Sequence, residues 1–321
     1  MSGRPRSCYI CHGRSLSKRG RFTTRASACV VLATSLPLLV LIGCGGSSPT
    51  SATAVPTSVA PSPPPPPRVL IVSVDGLRAD AIYAAETPTI RNLASRGSYS
   101  LQAQTISPSN TLPSHVSMLT GVTPAVHKII WDEYLPDRGR LTVQTVFSAA
   151  KAAGKRSAMV VGKDKFFTFK DAGNIDSGVL SMRGDDDVAN QAILQIDAGF
   201  DLIFLHFGDV DLMGHNKTWM SASYLEKVSR ADAVIGRVLQ VVPRNMAVIL
   251  TADHGGSGNG HGTNAALHMT IPWIIQGQGI KAGNPLSVRV NTIDTAVTAA
   301  YLLGFRMADV NGRVVTEAFV N

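Results

Sequence analysis

Beyond residue 44 the sequence contains no cysteine, because all four cysteines (Cys8, Cys11, Cys29 and Cys44) lie in its first 44 residues. This absence excludes a disulfide within the rest of the chain and any metal site there that is built on thiolates. The stretch from Cys8 to His12 fits the C-x-x-C-H pattern of haem attachment. We reject a haem site, because we expect this segment to be removed before folding.

The first 44 residues also lack aspartate and glutamate, although they hold seven of the 30 basic residues. The other 23 basic residues nearly balance the 22 acidic ones, so seven of the eight net positive charges belong to this leader. Net charge is an argument about partners only where it lies on the folded part of a protein. We therefore expect no nucleic-acid-binding surface.

A long uninterrupted apolar run is absent too, since the uncharged residues 26–44 are broken by Thr34, Ser35 and Pro37. A basic segment followed by such a run is typical of a signal peptide. Its ending, Leu-Ile-Gly-Cys, resembles a bacterial lipobox, which implies cleavage before Cys44 and a lipid on its sulfur. We predict that residues 1–44 are a lipoprotein signal peptide and that the protein is anchored in the cell envelope, facing the periplasm or the exterior. An ordinary signal peptide or an uncleaved anchor is the alternative.

Residues 45–67 are rich in Ser, Thr, Ala and Pro and are predicted to be an extended linker. Residues 68–321 alternate short β-branched runs with longer helical patterns, which predicts one α/β domain with a mostly parallel sheet and helices on both faces. The predicted strands are 68–74, 158–161, 202–207, 247–251 and 273–276. The predicted helices are 89–96, 113–120, 143–153, 189–198, 221–241 and 292–303.

Polar side chains follow three of the predicted strands where each strand ends. Asp75 follows the first, residues 209–215 (DVDLMGH) follow the third, and Asp253 and His254 follow the fourth. Ligands bind outside the carboxyl ends of strands in open α/β sheets, so these side chains are expected to share one site. The glycine-rich run after His254 allows His261 to reach the same place. Asp and His ligands without Cys suit zinc or another divalent first-row ion.

Residues 107–115 (SPSNTLPSH) supply a candidate nucleophile. Pro113 is tolerated in the first turn of a helix, which places Thr111 just before a helix N-terminus. Free backbone N–H groups and the positive end of the helix dipole favour a phosphate there. The alternative is that Thr111 is only an N-cap.

Taken in order, these motifs resemble the alkaline phosphatase superfamily, and most closely its type I phosphodiesterase/nucleotide pyrophosphatase branch. The resemblance implies an alkaline-phosphatase-like three-layer α/β/α sandwich over residues 68–321. It also implies two divalent metal ions, most often Zn²⁺, with Thr111 beside the first. The ligand sets carried over are Asp75, Asp253 and His254 for the first ion, and Asp211, His215 and His261 for the second.

The activity implied is hydrolysis of a small phosphate ester through a covalent phosphothreonine at Thr111. Three positions are assigned to substrate binding. Asp132 stands where the family often has an asparagine that donates to phosphate, and an ionised aspartate cannot donate. Leu112 stands where many relatives have an aromatic that stacks on a base. Lys163 is a candidate to hold an anionic leaving group, or else a surface charge.

Two alternative functions stay open. The first is a phosphomonoesterase or phosphonate-cleaving enzyme on the same scaffold, and the second is a non-catalytic, lipid-anchored binding protein. The presence of all seven site positions argues against the second. A sulfatase is disfavoured, because no C/S-x-P-x-R motif stands at the nucleophile. Four further residues or runs are expected to lie outside the ligand set: Asp209 is disfavoured against Asp211 by its spacing, His206 is packed or contacts a ligand, His268 lies at the surface or rim, and 185–187 is a solvated helix start.

Overall fold

The structure is a computed structural model and describes residues 67–138, 141–170 and 174–320. The predicted leader, its lipid-attachment site at Cys44 and all of the predicted linker except its last residue lie outside these ranges. Among the described helices, none is both long and apolar enough to cross a bilayer.

The described strands form one eight-stranded sheet. In chain order they are β1 (Arg68–Val74), β2 (Ser98–Gln104), β3 (Ser157–Val161), β4 (Ser177–Leu180), β5 (Leu202–Phe207), β6 (Met246–Thr251), β7 (Thr270–Gln276) and β8 (Asn284–Pro285). Their order across the sheet is β4-β3-β5-β1-β6-β7-β2-β8. The first five in this order run parallel, β7 is antiparallel to both β6 and β2, and β8 pairs parallel with β2.

The central strands are apolar at nearly every position. The strands β5 and β6 are buried at all six of their residues, and β1 is buried at all but its first. A strand that is buried on both faces reads as a continuous Val/Ile/Leu-rich run, because helices cover both sides of a parallel sheet. This explains why these three strands were recognisable from the sequence.

The described helices are α1 (Ala81–Ala84), α2 (Pro88–Ser95), α3 (Thr111–Thr120), α4 (Pro124–His127), α5 (Val146–Ala152), α6 (Phe167–Lys170), α7 (Asp185–Asp197), α8 (Asp209–Lys217), α9 (Ala222–Gln240), α10 (Ala266–Met269) and α11 (Asp294–Leu302). They pack in two groups. One group contains α3, α5 and α11, which contact one another, and the other contains α2, α7 and α8 around the long α9. With the sheet between them, the protein is the predicted three-layer α/β/α sandwich.

All five predicted strands and all six predicted helices are present, with bounds that differ by a few residues. The strands β2, β4 and β8 were not predicted, and neither were the helices α1, α4, α6, α8 and α10. The helix α3 begins at Thr111 and not at Pro113, so Asn110 is its N-cap and Thr111 lies in its first turn. The N-cap alternative for Thr111 is therefore wrong.

Asp232, on α9, ties the second helix group together. The side chain of Asp232 is buried, and its two oxygens accept hydrogen bonds from the backbone N–H groups of Thr89 at 3.0 Å and Ile90 at 2.7 Å. The first turn of α2 has no acidic residue of its own. Asp232 thus supplies, from a distant helix, the acceptor and the negative charge that the N-terminus of α2 requires.

We expect Asp232→Ala to lower the free energy of unfolding by about 2 kcal/mol, because two buried N–H groups lose an ionised acceptor. Urea unfolding followed by circular dichroism measures the change. The matched control is Glu226→Ala on the same helix, whose exposed carboxylate contacts only Arg230 at 4.0 Å. That variant is expected to stay within about 0.5 kcal/mol of the parent. Equal effects from the two substitutions would contradict this role for Asp232.

Candidate metal centre and nucleophile

Three neighbouring strands deliver the site residues to one edge of the sheet. The order β5-β1-β6 is parallel, so the carboxyl ends of these strands lie side by side. Asp75 follows β1 directly, and Asp253 and His254 follow β6. One residue after β5 the chain turns into α8, which carries Asp211 and His215 one helical turn apart.

Two groups of side chains have the spacing of metal ligands. In the first, one atom each from Asp211, His215 and His261 lies within 4.8 Å of the others. In this group Asp211 Oδ1 is 3.4 Å from His215 Nε2 and 3.7 Å from His261 Nε2. This group contains the three residues expected to hold the second ion.

The second group differs from the expected ligand set of the first ion. It contains Asp75, Asp211 and His254, again with their atoms within 4.8 Å of one another. The expected set had Asp253 in place of Asp211. Asp253 lies close by, with its Oδ2 3.3 Å from His254 Nε2. The structure therefore places Asp211 at the junction of both groups and Asp253 next to them.

The three imidazoles are oriented by backbone carbonyls. The Nδ1 atoms lie 2.8 Å from Asn259 O for His215, 2.8 Å from Gly255 O for His254, and 3.0 Å from Ser109 O for His261. A carbonyl oxygen only accepts hydrogen bonds, so each Nδ1 must donate and each neutral ring presents a lone pair at Nε2. The Nε2 atoms of His215 and His261 face each other at 3.1 Å. Two lone pairs at this distance repel unless a cation or a proton lies between them.

The carboxylate oxygens of the site also suit a bound metal ion. The buried atoms Asp75 Oδ1, Asp211 Oδ1 and Asp253 Oδ2 have no hydrogen-bond partner among the described residues. A buried carboxylate oxygen without a partner is costly, and buried charges are normally paired or bound to metal. Each of these oxygens lies 3.3 to 3.4 Å from an imidazole Nε2 of the site. Oxygen and nitrogen donors in this arrangement fit divalent ions such as Zn²⁺.

The concentrated negative charge shifts several pKa values. Burial and the charge of Asp75 raise the pKa of Asp253. Burial alone would lower the pKa of His254, but Asp253 and Asp75 outweigh it and raise that pKa. Burial and the neighbouring His254 lower the pKa of His261 to about 4. Protons and a bound cation would therefore compete for the same side chains of this site.

Thr111 lies next to this cluster. The hydroxyl oxygen of Thr111 is 3.4 Å from His254 Nε2, and the residue is only 1% exposed. One turn further along α3, His115 Nδ1 donates to the Thr111 carbonyl at 2.7 Å, and His115 Nε2 lies 2.8 Å from Ser73 Oγ. Burial lowers the pKa of His115 well below its ordinary value, so the ring is neutral. His115 fixes the backbone of Thr111.

Lys163 is found in a place that the sequence did not indicate. Its Nζ lies 2.7 Å from Asp75 Oδ2 and 2.7 Å from Asp211 Oδ2. Burial would lower the pKa of Lys163, but the two aspartates outweigh burial and raise it. The ammonium group is thus engaged by site carboxylates, and it is neither a surface charge nor free to hold a leaving group as expected.

Asp132 and Leu112 meet at the start of α3. Asp132 Oδ1 accepts from the Leu112 backbone N–H at 2.7 Å, and Asp132 Oδ2 accepts from Lys165 Nζ at 2.8 Å. Asp132 therefore lies beside the candidate nucleophile, as its sequence position suggested. The side chain of Leu112 is fully buried in the hydrophobic core. The expectation that Leu112 contacts substrate is wrong, because this position faces inward on α3.

Several residues support the site from outside the ligand groups, and His206 is the one that the sequence indicated as packed or in contact with a ligand. His206 Nε2 donates to Asp75 Oδ2 at 2.8 Å from within β5. The indole N–H of Trp219 donates to Gly76 O at 2.9 Å, and its ring lies 5.1 Å from that of His215. A Cβ on Gly214 would be 2.6 Å from this indole, and one on Gly256 only 2.3 Å. Gly214 and Gly256 therefore make room for the indole of Trp219. These two glycines are the one feature of the sequence that could have indicated a bulky side chain at this place.

Three minor expectations have different outcomes. His268, which was expected at the surface or rim, is buried and lies 2.8 Å from both Ser257 Oγ and Thr263 Oγ1. Asp185 is the buried exception in its acidic run, because its carboxylate accepts from the Gly208 N–H at 2.8 Å. Asp209 is outside both ligand groups and pairs with Lys227 at 3.2 Å.

The chain is similar to several known proteins. A family model described as type I phosphodiesterase / nucleotide pyrophosphatase matches residues 69–270. The human GPI ethanolamine phosphate transferase 2 catalytic subunit is 27% identical over 261 residues, which cover 74% of this chain and 26% of that protein. Mouse ectonucleotide pyrophosphatase/phosphodiesterase family member 7 is 24% identical over 222 residues, which cover 59% of this chain and 49% of that protein. The chain thus spans between a quarter and a half of the length of these relatives.

Solved structures share the fold at low identity. Inactive murine ectonucleotide pyrophosphatase / phosphodiesterase 5 in complex with AMP aligns with a TM-score of 0.69 and 15% identity, covering 79% of this chain and 100% of that chain. A 2-O GAG sulfatase aligns with a TM-score of 0.65 and 17% identity, covering 79% of this chain and 74% of that chain. At these identities the likeness concerns the fold alone.

The pair Asp211 and Asp209 offers a test of the metal groups. We expect purified Asp211→Asn to bind at least one zinc equivalent fewer than the parent, because Asp211 belongs to both groups. Asp209→Asn, two residues earlier on α8, is expected to retain the full metal content. Elemental analysis after dialysis against dilute zinc gives the stoichiometry. Equal metal content in the two variants would refute the assignment of Asp211.

Proposed function

Since the chain belongs to the type I phosphodiesterase / nucleotide pyrophosphatase family, we propose that it is a metal-dependent hydrolase of phosphoric esters that prefers phosphodiesters. The observation that carries the proposal is the convergence of three imidazole Nε2 atoms and three unpartnered carboxylate oxygens next to the hydroxyl of Thr111. The two ions would be Zn²⁺, held by the Asp211, His215 and His261 group and by Asp75 and His254 with Asp253 alongside. When bound, such ions supply Lewis-acid stabilisation of phosphoryl oxygens and favour ionisation of a neighbouring hydroxyl.

In this scheme Thr111 is the nucleophile. Its Oγ1 forms a bond to phosphorus while the bond from phosphorus to the ester oxygen breaks, which leaves a phosphothreonine. The hydroxyl proton of Thr111 is lost to solvent and the departing alkoxide takes a proton from water. Water then attacks the phosphothreonine, regenerates Thr111 and releases the phosphate product. His115 supports these steps by holding the Thr111 carbonyl in place.

Asp132 favours a substrate of low negative charge. Its carboxylate is bonded to the Leu112 N–H, the helix N-terminal group that follows the nucleophile. A phosphomonoester brings up to two negative charges to this place, whereas a phosphodiester brings one. The ion pair with Lys165 reduces the repulsion but leaves no free ammonium for the phosphate. The diesterase is therefore preferred over a phosphomonoesterase.

Transfer to an alcohol is the second candidate reaction. It is favoured by the match to a human relative named as a phosphoethanolamine transferase, which covers 74% of this chain. The same phosphothreonine would pass its phosphoryl group to an acceptor hydroxyl in place of water. Product analysis with and without an added alcohol distinguishes the two reactions, because only transfer yields a new diester.

The cellular location is also part of the proposal and rests on the sequence of residues 1–44 alone. Cleavage before Cys44 and lipid attachment there would anchor the domain in the cell envelope through residues 45–67. Mass spectrometry of the membrane fraction tests this assignment, since a lipidated N-terminal cysteine has a characteristic mass. An unmodified chain in the soluble fraction would exclude it.

We expect Thr111→Ala to lower kcat for bis(4-nitrophenyl) phosphate on the order of 10³-fold or more, because the covalent route loses its nucleophile. Thr111→Ser retains a hydroxyl and is expected to keep measurable activity. Nitrophenolate release at saturating zinc measures both. Metal content and far-UV circular dichroism of each variant must match the parent. Full activity of Thr111→Ala with an intact fold would exclude the phosphothreonine.

Asp132→Asn is expected to lower KM for the same diester roughly fivefold, which corresponds to about 1 kcal/mol of relieved repulsion. The amide oxygen can still accept from the Leu112 N–H, while Lys165 loses its ion pair and becomes available to the phosphate. The matched control is Asp137→Asn, an exposed carboxylate five residues further on. A KM that is unchanged in Asp132→Asn would show that Asp132 does not sense the phosphate.

A further inference from the structure

Lys163 contacts one carboxylate oxygen of each of two site aspartates and leaves the other oxygen of each to face the imidazoles. The Oδ2 atoms of Asp75 and Asp211 both lie 2.7 Å from Lys163 Nζ. Their Oδ1 atoms are without hydrogen-bond partners among the described residues and face imidazoles, His254 for Asp75 and His215 for Asp211. One ammonium group therefore contacts Asp211, which belongs to both ligand groups, and Asp75, which belongs to one of them.

The position of Lys163 is set by the sheet. The strand β3 pairs with β5, with Val161 opposite His206, and Lys163 follows two residues after β3 ends. Its side chain passes over Gly208, where an added Cβ would lie 3.8 Å from Lys163 Cε. The side chain is only 23% exposed. Lys163 thus enters the site from the neighbouring strand and is not a mobile surface lysine that happens to point inward.

The charge balance of the site depends on this residue. Asp75, Asp211 and Asp253 are all buried. Across the described ranges, Lys163 is the one Lys or Arg that forms an ion pair with any of them. Three carboxylates and one ammonium leave two net negative charges, whereas two divalent ions bring four positive ones. The ammonium therefore repels the ions with which it shares carboxylates.

We propose that Lys163 is a built-in cation that competes with the metal ions for Asp75 and Asp211. Before metal binds, it neutralises part of the buried negative charge and allows the domain to fold. Once metal is present, it weakens binding, so that the affinity of the site for metal is set by an internal competitor. This inference rests on the metal centre of the proposed function.

The test compares zinc affinities of the purified full-length chain. Lys163→Met and Lys163→Gln both remove the charge, and the second keeps a polar group in case the first variant does not fold. The matched control is Lys165→Met, which comes from the same segment but pairs with Asp132. Competition with a chromophoric chelator gives the dissociation constants. We expect both Lys163 variants to bind zinc at least about tenfold more tightly, and Lys165→Met to stay within about threefold.

Thermal melting provides a second readout that does not depend on activity. Metal-free Lys163→Gln is expected to melt below the parent, and saturating zinc is expected to raise its melting temperature by more than it raises that of the parent. Lys163→Arg retains the charge and should resemble the parent in both respects. Zinc affinities of the Lys163 variants equal to or weaker than that of the parent would overturn this inference alone. Failure of the unsubstituted protein to bind zinc would overturn the metal centre as well.

Discussion

The structure is organised around three carboxylates that are buried at one edge of the sheet. Asp75, Asp211 and Asp253 are each at most 4% exposed, and placing such charge in a protein interior is strongly unfavourable unless it is paired. The polar groups around the three carboxylates supply this pairing. Imidazoles face the inner oxygens, an ammonium group holds the outer oxygens of two of them, and backbone N–H groups of Gly76 and His254 donate to Asp253 Oδ1. The neighbouring elements of the fold therefore hold a polar partner next to each of the three buried carboxylates.

Support of this kind requires rigid elements. The carboxylates are attached directly to the ends of β1 and β6 or to the first turn of α8, and the central strands are buried at almost every residue. The imidazole rings are fixed a second time by backbone carbonyls at Nδ1, so that Nε2 of each ring faces the site. A metal site needs both a rigid backbone and oriented side chains. Ligands whose orientation is not fixed bind the metal more weakly, because binding must then also order them.

The sequence predicted the parts of the site that are local. Asp75, Asp253 and His254 were assigned because a polar residue directly after a buried strand can only lie at the carboxyl edge of the sheet. Partners that are distant in the chain were not predicted. Lys163 is 48 residues from Asp211 and 88 from Asp75, and no pattern in the sequence connects them. Leu112 was assigned from the family pattern alone, and its burial in the core depends on packing that the local sequence does not show.

The same distinction explains why the fold was more predictable than the chemistry of the substrate. Strand and helix periodicity is a property of short segments, whereas the proposed preference for a diester rests on a carboxylate that contacts α3 from 20 residues away. Asp132 in the sequence appeared as a missing hydrogen-bond donor. In the structure it is an acceptor that occupies a helix N-terminal N–H and engages a lysine. In the proposed function, Asp132 and Lys165 would border the bound phosphate, and substrate charge is the property that these two groups would discriminate.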